Sequence, residues 1–384
     1  MPKIKSPLLY IYADEHIYEA ARFLKPGFEL STYSSQPDFS ILQHYSALFV
    51  RTVTQLNKEI IEKLPKSIKY IGTASAGFDH IDIEALIEKG ISFYSAAGCN
   101  AKAVAEYIQI VLLWWSLLEQ KDLKHKTIAI IGVGHVGSQV AHLCENMGMK
   151  TVLYDPPRQE KDDSFYSADF EDVLNADILS FHVPLNSSTQ HYFREELFGI
   201  SNFELVINAA RGGVIDESFL LKALNSKQVK QCIIDCWENE PVFNTELMDK
   251  AFIATPHIAG YSEQAKLAAS SLIFSQLYAE LNYDDSLIIE TFQSSETTDI
   301  PNVSIDNSFD NGNKATTAFS YFHNFLEYDL QLRAISFLDR TEYSKQFSLL
   351  RTQLPFRNEF RFIKIPDSIL TDFPILNLLG RKID

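Results

Sequence analysis

The sequence predicts an α/β protein: two doubly wound parallel-sheet domains, with a small α+β domain at the C-terminal end. Three observations carry this expectation. Residues 1–100 alternate strand-like and helix-like runs. Thr127–Gly137, TIAIIGVGHVG, is an apolar strand running straight into a glycine-rich turn. After a polar stretch, Gln293–Asn313, the chain becomes aromatic-rich to its end. At 384 residues it is long enough for two or three domains, and 46% hydrophobic content suffices for sizeable cores.

In the first hundred residues, strands are expected at Leu8–Ala13, Ala47–Val50, Ile68–Ile71 and Ile91–Tyr94. Helices are expected at His16–Leu24, Lys58–Leu64 and Ile83–Lys89. This βαβα order implies a parallel sheet with helices on both faces. Such sheets bind ligands beyond the carboxyl ends of their strands. Those ends carry Asp14, Arg51 with Thr52, and Thr73 with Ser75. Asn100 has the character of an N-cap for a long helix, Ala101–Leu118. Its apolar run, Ile108–Leu118, is too short for a bilayer and predicts a buried helix packed between two domains.

The glycine turn follows Ile128–Ile131, a continuous apolar run of the kind found in strands covered on both faces. Gly132, Gly134 and Gly137 have the G-x-G-x-x-G spacing. The first allows a tight turn, the second lets backbone approach a pyrophosphate, and the third lets the next helix sit close to the strand. That helix, about Val136–Met147, presents free N–H groups to an anion. A second strand, Lys150–Tyr154, ends in Asp155, eighteen residues past the last glycine. A carboxylate there binds ribose hydroxyls and repels a 2′-phosphate, which favours NAD over NADP. Arg158 is the nearby cation. The context identifies a Rossmann-like dinucleotide-binding domain with NAD as cofactor. Further strands are expected at Ile178–Phe181, Leu205–Ile207, Cys232–Ile234 and Phe252–Ala254, then a helix over Ser262–Leu281. If that helix returns to the first domain, a clamshell results. The expected division is a substrate-binding domain of residues 1–100 and 262–290, an NAD-binding domain of 101–261, and a C-terminal oligomerisation domain of 300–384.

The net charge of −16 and the absence of a basic cluster make nucleic acid and anionic membranes poor partners. Four cysteines without a C-x-x-C pair read as reduced thiols, and no metal site is expected. The N-terminal apolar run Pro7–Ala13 stops at Asp14 and Glu15, short for a signal peptide. A soluble cytoplasmic protein is the expectation.

Three residues past the glycine turn each follow a strand. Arg211 sits in NAARGG, Glu240 in DCWENEP and His257 in TPHIAG. A histidine can take a hydroxyl proton as general base. An acid beside it fixes one tautomer and favours the protonated ring. An arginine can grip a carboxylate with two parallel hydrogen bonds. The set suits oxidation of a hydroxy acid.

With IGVGHVG, INAARGGVIDE, DCWENEP and TPHIAGYS in place, the chain resembles the D-isomer-specific 2-hydroxyacid dehydrogenases. A narrower resemblance, to a branch of that family acting on a phosphorylated acid, is carried by VRTVTQLN (Val50–Asn57), GTASAGFDHID (Gly72–Asp82), SAAGCNAKAVAEY (Ser95–Tyr107) and YDPPR (Tyr154–Arg158). FSLLRTQLPFRNEF (Phe347–Phe360) is similar to that branch's C-terminal dimerisation domain. The resemblance implies that Arg211 and Glu240 are active-site residues and His257 the proton-transfer residue. It implies substrate contacts from Thr52, Thr73 and Tyr261. NAD contacts are implied for His135, Val136, Asp155, Asp235 and Gly260. Val183 stands where a hydroxyl residue can occur and, as valine, donates no side-chain hydrogen bond to the cofactor. Thr52 stands where serine is usual and keeps the hydroxyl. The substrate phosphate is expected near Arg51, Thr52 and the Thr73–Gly77 loop. A homodimer is implied. Two alternatives stay open: another 2-hydroxy acid such as 3-phosphoglycerate, or a nucleotide-sensing binding protein of the same fold. The intact Arg/Glu/His set argues against a purely binding role. His16 and His191 are expected as solvated surface.

Overall fold

The computed structural model describes residues 9–283, 298–299, 311–353, 355–364 and 367–379. Its contacts divide the chain into two units. One comprises Met1–Asn100 and Glu263–Glu296, the other Ala101–Ser262 and Thr297–Asp384.

In the first unit, β1 (Leu9–Asp14), β2 (Phe28–Tyr33), β3 (Ala47–Val50), β4 (Tyr70–Thr73) and β5 (Ser92–Ser95) form one parallel sheet, ordered β2-β1-β3-β4-β5. The strand order reverses between β1 and β3. Register there pairs Ala13 with Phe49, so Asp14 and the residues after Val50 leave the sheet side by side. Strand β2 is additional to the sequence expectation; it enters through Gly27 at φ +94° and takes the sheet edge. Strands β4 and β5 begin later than expected. His16–Leu24 is not an α-helix. Glu19 adopts a left-handed conformation (φ 48°), and only a short 3-10 turn, Ala20–Phe23, follows. Helices α1 (Lys58–Lys63) and α2 (Ile83–Lys89) start at Asn57 and Asp82, whose side chains accept from the N–H groups of Ile60 and Ala85. Helix α2 ends at Gly90 with φ 69°. The helix Glu263–Glu280 belongs to this unit. Its Ala269, Ile273, Phe274 and Leu277 share a core with Ile11, Phe28 and Phe49, and Gln276 Nε2 donates to the Ser95 carbonyl at 2.8 Å.

In the second unit, β6 (Thr127–Ile131), β7 (Lys150–Tyr154), β8 (Ile178–Phe181), β9 (Phe203–Asn208), β10 (Val229–Ile234) and β11 (Ile253–Ala254) form a second all-parallel sheet. The order β11-β10-β9-β8-β6-β7 again reverses, here between β6 and β8. Helix α3 (Ala101–Leu118) packs on helix α4 (His135–Asn146). By length and composition α3 could cross a membrane, but 83% of it is buried inside this fold. It belongs to the second unit.

The C-terminal region does not separate as a compact unit of its own. Phe319, Phe322, Phe325, Phe360 and Leu376 share one core with Ile110, Trp114 and Ile130. The Arg333 guanidinium donates to the carbonyls of Met248 and Ala251, each at 2.8 Å. Arg357 pairs with the buried carboxylate of Glu106 at 2.7 Å. These rings and ions pack in the same core as the second sheet's helices. The polar stretch Gln293–Asn313 lies largely outside the described residues; Thr298–Asp299 pairs in parallel with Ile363–Lys364.

Candidate active site

The glycine turn leaves β6 at the point where the strand order reverses, the place where open parallel sheets bind ligands. Each glycine has a distinct constraint. Gly132 has φ +88°, and a Cβ there would lie 2.8 Å from the His182 carbonyl. A Cβ on Gly137 would overlap the Gly132 carbonyl oxygen. Gly134 faces open space, so backbone can be approached there. Helix α4 starts at Gly134 without a side-chain cap, and Gly134 and His135 are exposed, with Val136 half-buried. Its first N–H groups are open to an anion.

Asp155 is held at the end of β7. Its Oδ2 accepts from Val133 N at 2.8 Å and its Oδ1 from Arg158 N at 3.1 Å. Arg158 Nη1 donates to the Val133 carbonyl at 2.6 Å, its Nη2 to Asp162 at 3.2 Å, and its Cζ lies 4.2 Å from the centroid of the Phe165 ring. Those donors are committed within the fold, which leaves the Asp155 carboxylate to set the character of the ribose site. Half-buried Val183 packs against Gly132. Behind it, His182 is half-buried with its Nδ1 shut away from solvent, and desolvation pushes its pKa down to about 3. The turn is therefore backed by a neutral ring. Open backbone, uncapped helix and strand-end carboxylate together fit a dinucleotide.

Arg211, Glu240 and His257 follow β9, β10 and β11, at one edge of the same sheet. Glu240 and His257 are in direct contact. The imidazole Nδ1 lies 2.9 Å from Oε2 and 3.2 Å from Oε1. Trp237 N donates to Glu240 Oε1 at 2.8 Å. Burial alone would raise the Glu240 carboxyl, but His257, its hydrogen bond, the Arg351 guanidinium and the Trp237 N–H together hold it below the usual range. It stays ionised beside the imidazole.

His257 adopts φ +57°, in the left-handed region. Asp235 holds that loop in shape. It is 1% exposed, and it accepts from Thr255 Oγ1 (2.6 Å), Ile258 N (2.8 Å) and Ala259 N (3.0 Å). The structure thus gives Asp235 a loop-fixing task. Gly260 and Tyr261 follow on this loop, both partly exposed.

Arg211 is tied to the Glu240 loop through Asn208, a residue the sequence reading missed. Asn208 Nδ2 donates to the carbonyls of Arg211 (3.0 Å) and Cys236 (3.2 Å), and its Oδ1 accepts from Ala210 N at 3.2 Å. Gly212 packs so tightly that a Cβ would overlap the Trp237 carbonyl oxygen. A second missed residue is Arg351, whose Nη1 lies 3.7 Å from Glu240 Oε2. It lies inside the FSLLRTQLPFRNEF stretch, which gave no hint of a site role, because it reaches the site from a helix more than a hundred residues away in sequence.

In the first unit, Arg51 Nε lies 3.1 Å from Oδ1 of the fully buried Asp14. Thr52 is exposed. Thr73 is fully buried, with its hydroxyl 3.1 Å from His80 Nε2, so the side chain anchors its own loop. His16 and His191 are not merely solvated. His16 N and Nδ1 approach Asp14 Oδ1 at 2.8 and 3.2 Å, and His191 Nε2 lies 2.9 Å from Glu238 Oε1. All four cysteines are free thiols.

Comparisons with known proteins give the family. The family model of the D-isomer specific 2-hydroxyacid dehydrogenase NAD-binding domain matches residues 109–259. The chain is 41% identical over 248 residues to an erythronate-4-phosphate dehydrogenase of Bacteroides thetaiotaomicron, covering 62% of this chain and 71% of that one. It is 37% identical over 289 residues to one of Escherichia fergusonii, covering 73% and 76%. An NAD-bound 3-phosphoglycerate dehydrogenase from Entamoeba histolytica superposes with a TM-score of 0.60 at 26% identity, over 71% of this chain and 95% of that one. For the fold alone, a D-lactate dehydrogenase from Aquifex aeolicus superposes with a TM-score of 0.58 at 23% identity, over 73% and 98%. The chain belongs to the D-isomer-specific 2-hydroxyacid dehydrogenases, NAD-dependent oxidoreductases, in the group of the erythronate-4-phosphate dehydrogenases.

Proposed function

We propose that this chain oxidises the C2 hydroxyl of 4-phospho-D-erythronate to 3-hydroxy-2-oxo-4-phosphooxybutanoate. The observation that carries the chemistry is the 2.9 Å contact between Glu240 and His257 in the sheet that bears the glycine cradle. With Nδ1 turned to Glu240, Nε2 is the ring nitrogen left to take the hydroxyl proton. Ionised Glu240 stabilises the imidazolium that results. Arg211 grips the substrate carboxylate and polarises the developing carbonyl. NAD, when bound, supplies the hydride acceptor at its nicotinamide C4. Gly132, Gly134, Gly137, His135, Val136, Asp155, Val183, Asp235 and Gly260 are the residues we assign to its site. Arg51, Thr52, Thr73 and Tyr261 are assigned to the substrate, Thr73 through the loop it anchors.

Relatives named for erythronate 4-phosphate, at about 40% identity, support the substrate. We place the step in pyridoxal 5′-phosphate biosynthesis on the same ground. The direct test compares kcat/KM for 4-phospho-D-erythronate, D-3-phosphoglycerate and D-lactate with NAD, and the phosphorylated four-carbon acid should be preferred. We further infer a cytoplasmic homodimer. Free cysteines suit a reducing compartment. Exposed Leu330, Phe337 (90% exposed) and Leu338 offer apolar surface in the C-terminal region. Sedimentation should give a dimer mass; a stable monomer contradicts that inference.

A further inference from the structure

The helix Arg340–Gln353 brings one more cation to the catalytic pair. Arg351 Nη1 stands 3.7 Å from Glu240 Oε2, within ion-pair range but beyond a hydrogen bond. Its Nε is buried and has no hydrogen-bond partner. Glu240 and Asp235 are the carboxyl groups that act on its charge. Glu240 cannot satisfy this guanidinium well. Its Oε1 is taken by Trp237 N, and its Oε2 by the His257 imidazole. A partly buried guanidinium whose Nε lacks a partner, and whose one carboxylate neighbour is beyond hydrogen-bond distance, gains from a further anionic oxygen. A guanidinium also suits the planar, two-point grip of a carboxylate or phosphate.

The position of Arg351 in the chain gives this weight. It lies beyond residues 109–259, the part matched by the family model. The superposed dehydrogenases are covered at 95% or more while more than a quarter of this chain has no counterpart in them. The C-terminal helix thus brings its cation to Glu240 and His257 from outside the matched domain.

We propose that Arg351 is an anion-binding residue of the active site, which takes an anionic oxygen of the hydroxy-acid substrate and makes the C-terminal region part of substrate selection. This rests on the dehydrogenase reading above. The anion is the phosphate or the carboxylate of the substrate.

The test uses full-length enzyme with Arg351→Met and Arg351→Lys, at saturating NAD, on 4-phospho-D-erythronate and D-erythronate. Arg351→Met should raise KM for the phosphorylated acid about 30-fold or more, the scale of a lost buried charge contact. NAD affinity should be unchanged and kcat should stay within a few-fold, with Arg351→Lys intermediate. If the phosphate is the partner, D-erythronate loses nothing in the variant, and competitive inhibition by inorganic phosphate weakens. If the carboxylate is the partner, both acids lose alike. Unchanged KM in both variants overturns the proposal. So does a fall in kcat alone with a moved pH–rate profile, because Arg351 would then act only through Glu240. Should Arg351→Met lose NAD binding, Arg351→Lys decides: raised KM with intact NAD affinity supports the proposal, and wild-type KM overturns it. If the wild type prefers a different hydroxy acid, the substrate reading fails, and the KM comparison on that acid still decides Arg351. If no acid turns over, calorimetric binding of inorganic phosphate and oxalate decides: loss in Arg351→Met supports, equal binding overturns.

Discussion

Replacing His257 with alanine is expected to lower kcat about a thousandfold while NAD binds with unchanged affinity. The imidazole Nδ1 is committed to Glu240 at 2.9 Å, so removing the ring removes the base and leaves the carboxylate without its partner. The cradle stands on other elements: Gly132–Gly137 between β6 and the first turn of α4, and Asp155 just past β7. Nothing in that cradle depends on the imidazole. Steady-state turnover and calorimetric titration of NAD, measured on one preparation, separate the two effects. Retained turnover would remove His257 from the chemistry. Lost NAD binding would show instead that the residue, at φ +57°, mainly shapes its loop.

Gly212→Ala should be nearly as damaging without touching a reacting group. The added Cβ would overlap the Trp237 carbonyl oxygen and come within 3.0 Å of Glu238 N. Both are backbone atoms and cannot swing away. Asn208 bridges the Arg211 and Cys236 carbonyls, and Trp237 Nε1 is fixed on the Thr255 carbonyl at 2.9 Å. The loop with Arg211 must therefore shift against the loop with Glu240. A misplacement of about 1 Å costs on the order of a hundredfold in rate. Overpacking adds roughly 1–3 kcal/mol of destabilisation. The expected outcome is a kcat/KM about a hundredfold lower, a lower melting temperature and near-normal NAD affinity. Wild-type kcat/KM in this variant would contradict the close coupling of the two loops.

The dinucleotide half was legible because its signals are local. Strand β7 and β8 have the bounds read from the sequence, since Lys150–Tyr154 and Ile178–Phe181 are short apolar runs between turns. Helix α2 is likewise bracketed by Asp82 and Gly90. Strand β2 escaped notice because FELSTY, at a sheet edge, buries only its two end residues. His16–Leu24 has helical composition, yet the Asp14 carboxylate draws the His16 N–H and Glu19 turns left-handed, so a helix cannot start. Composition marks off the C-terminal region but does not say where its apolar side chains go. Phe319 and Phe360 go into the core of the second sheet.

The residues proposed for catalysis divide in the same way. Arg211, Glu240 and His257 announce themselves by following strands, but what orients them does not. Asn208 reads as the end of a strand, and Asp235 enters the sequence reading only as an implied NAD contact. Only the fold shows that one joins two loops and the other holds the turn under His257. Arg351 is the extreme case, since its contact with Glu240 depends wholly on the path of the C-terminal helices.

The measurement that bears most directly on the central claim is turnover of the purified full-length chain with NAD and 4-phospho-D-erythronate, with a 2-oxo acid supplied as hydride acceptor. D-3-phosphoglycerate and D-lactate run beside it. A kcat/KM at least tenfold higher for 4-phospho-D-erythronate is the predicted result. Preference for either other acid would contradict the substrate, and no turnover with NAD demonstrably bound would contradict the enzyme itself.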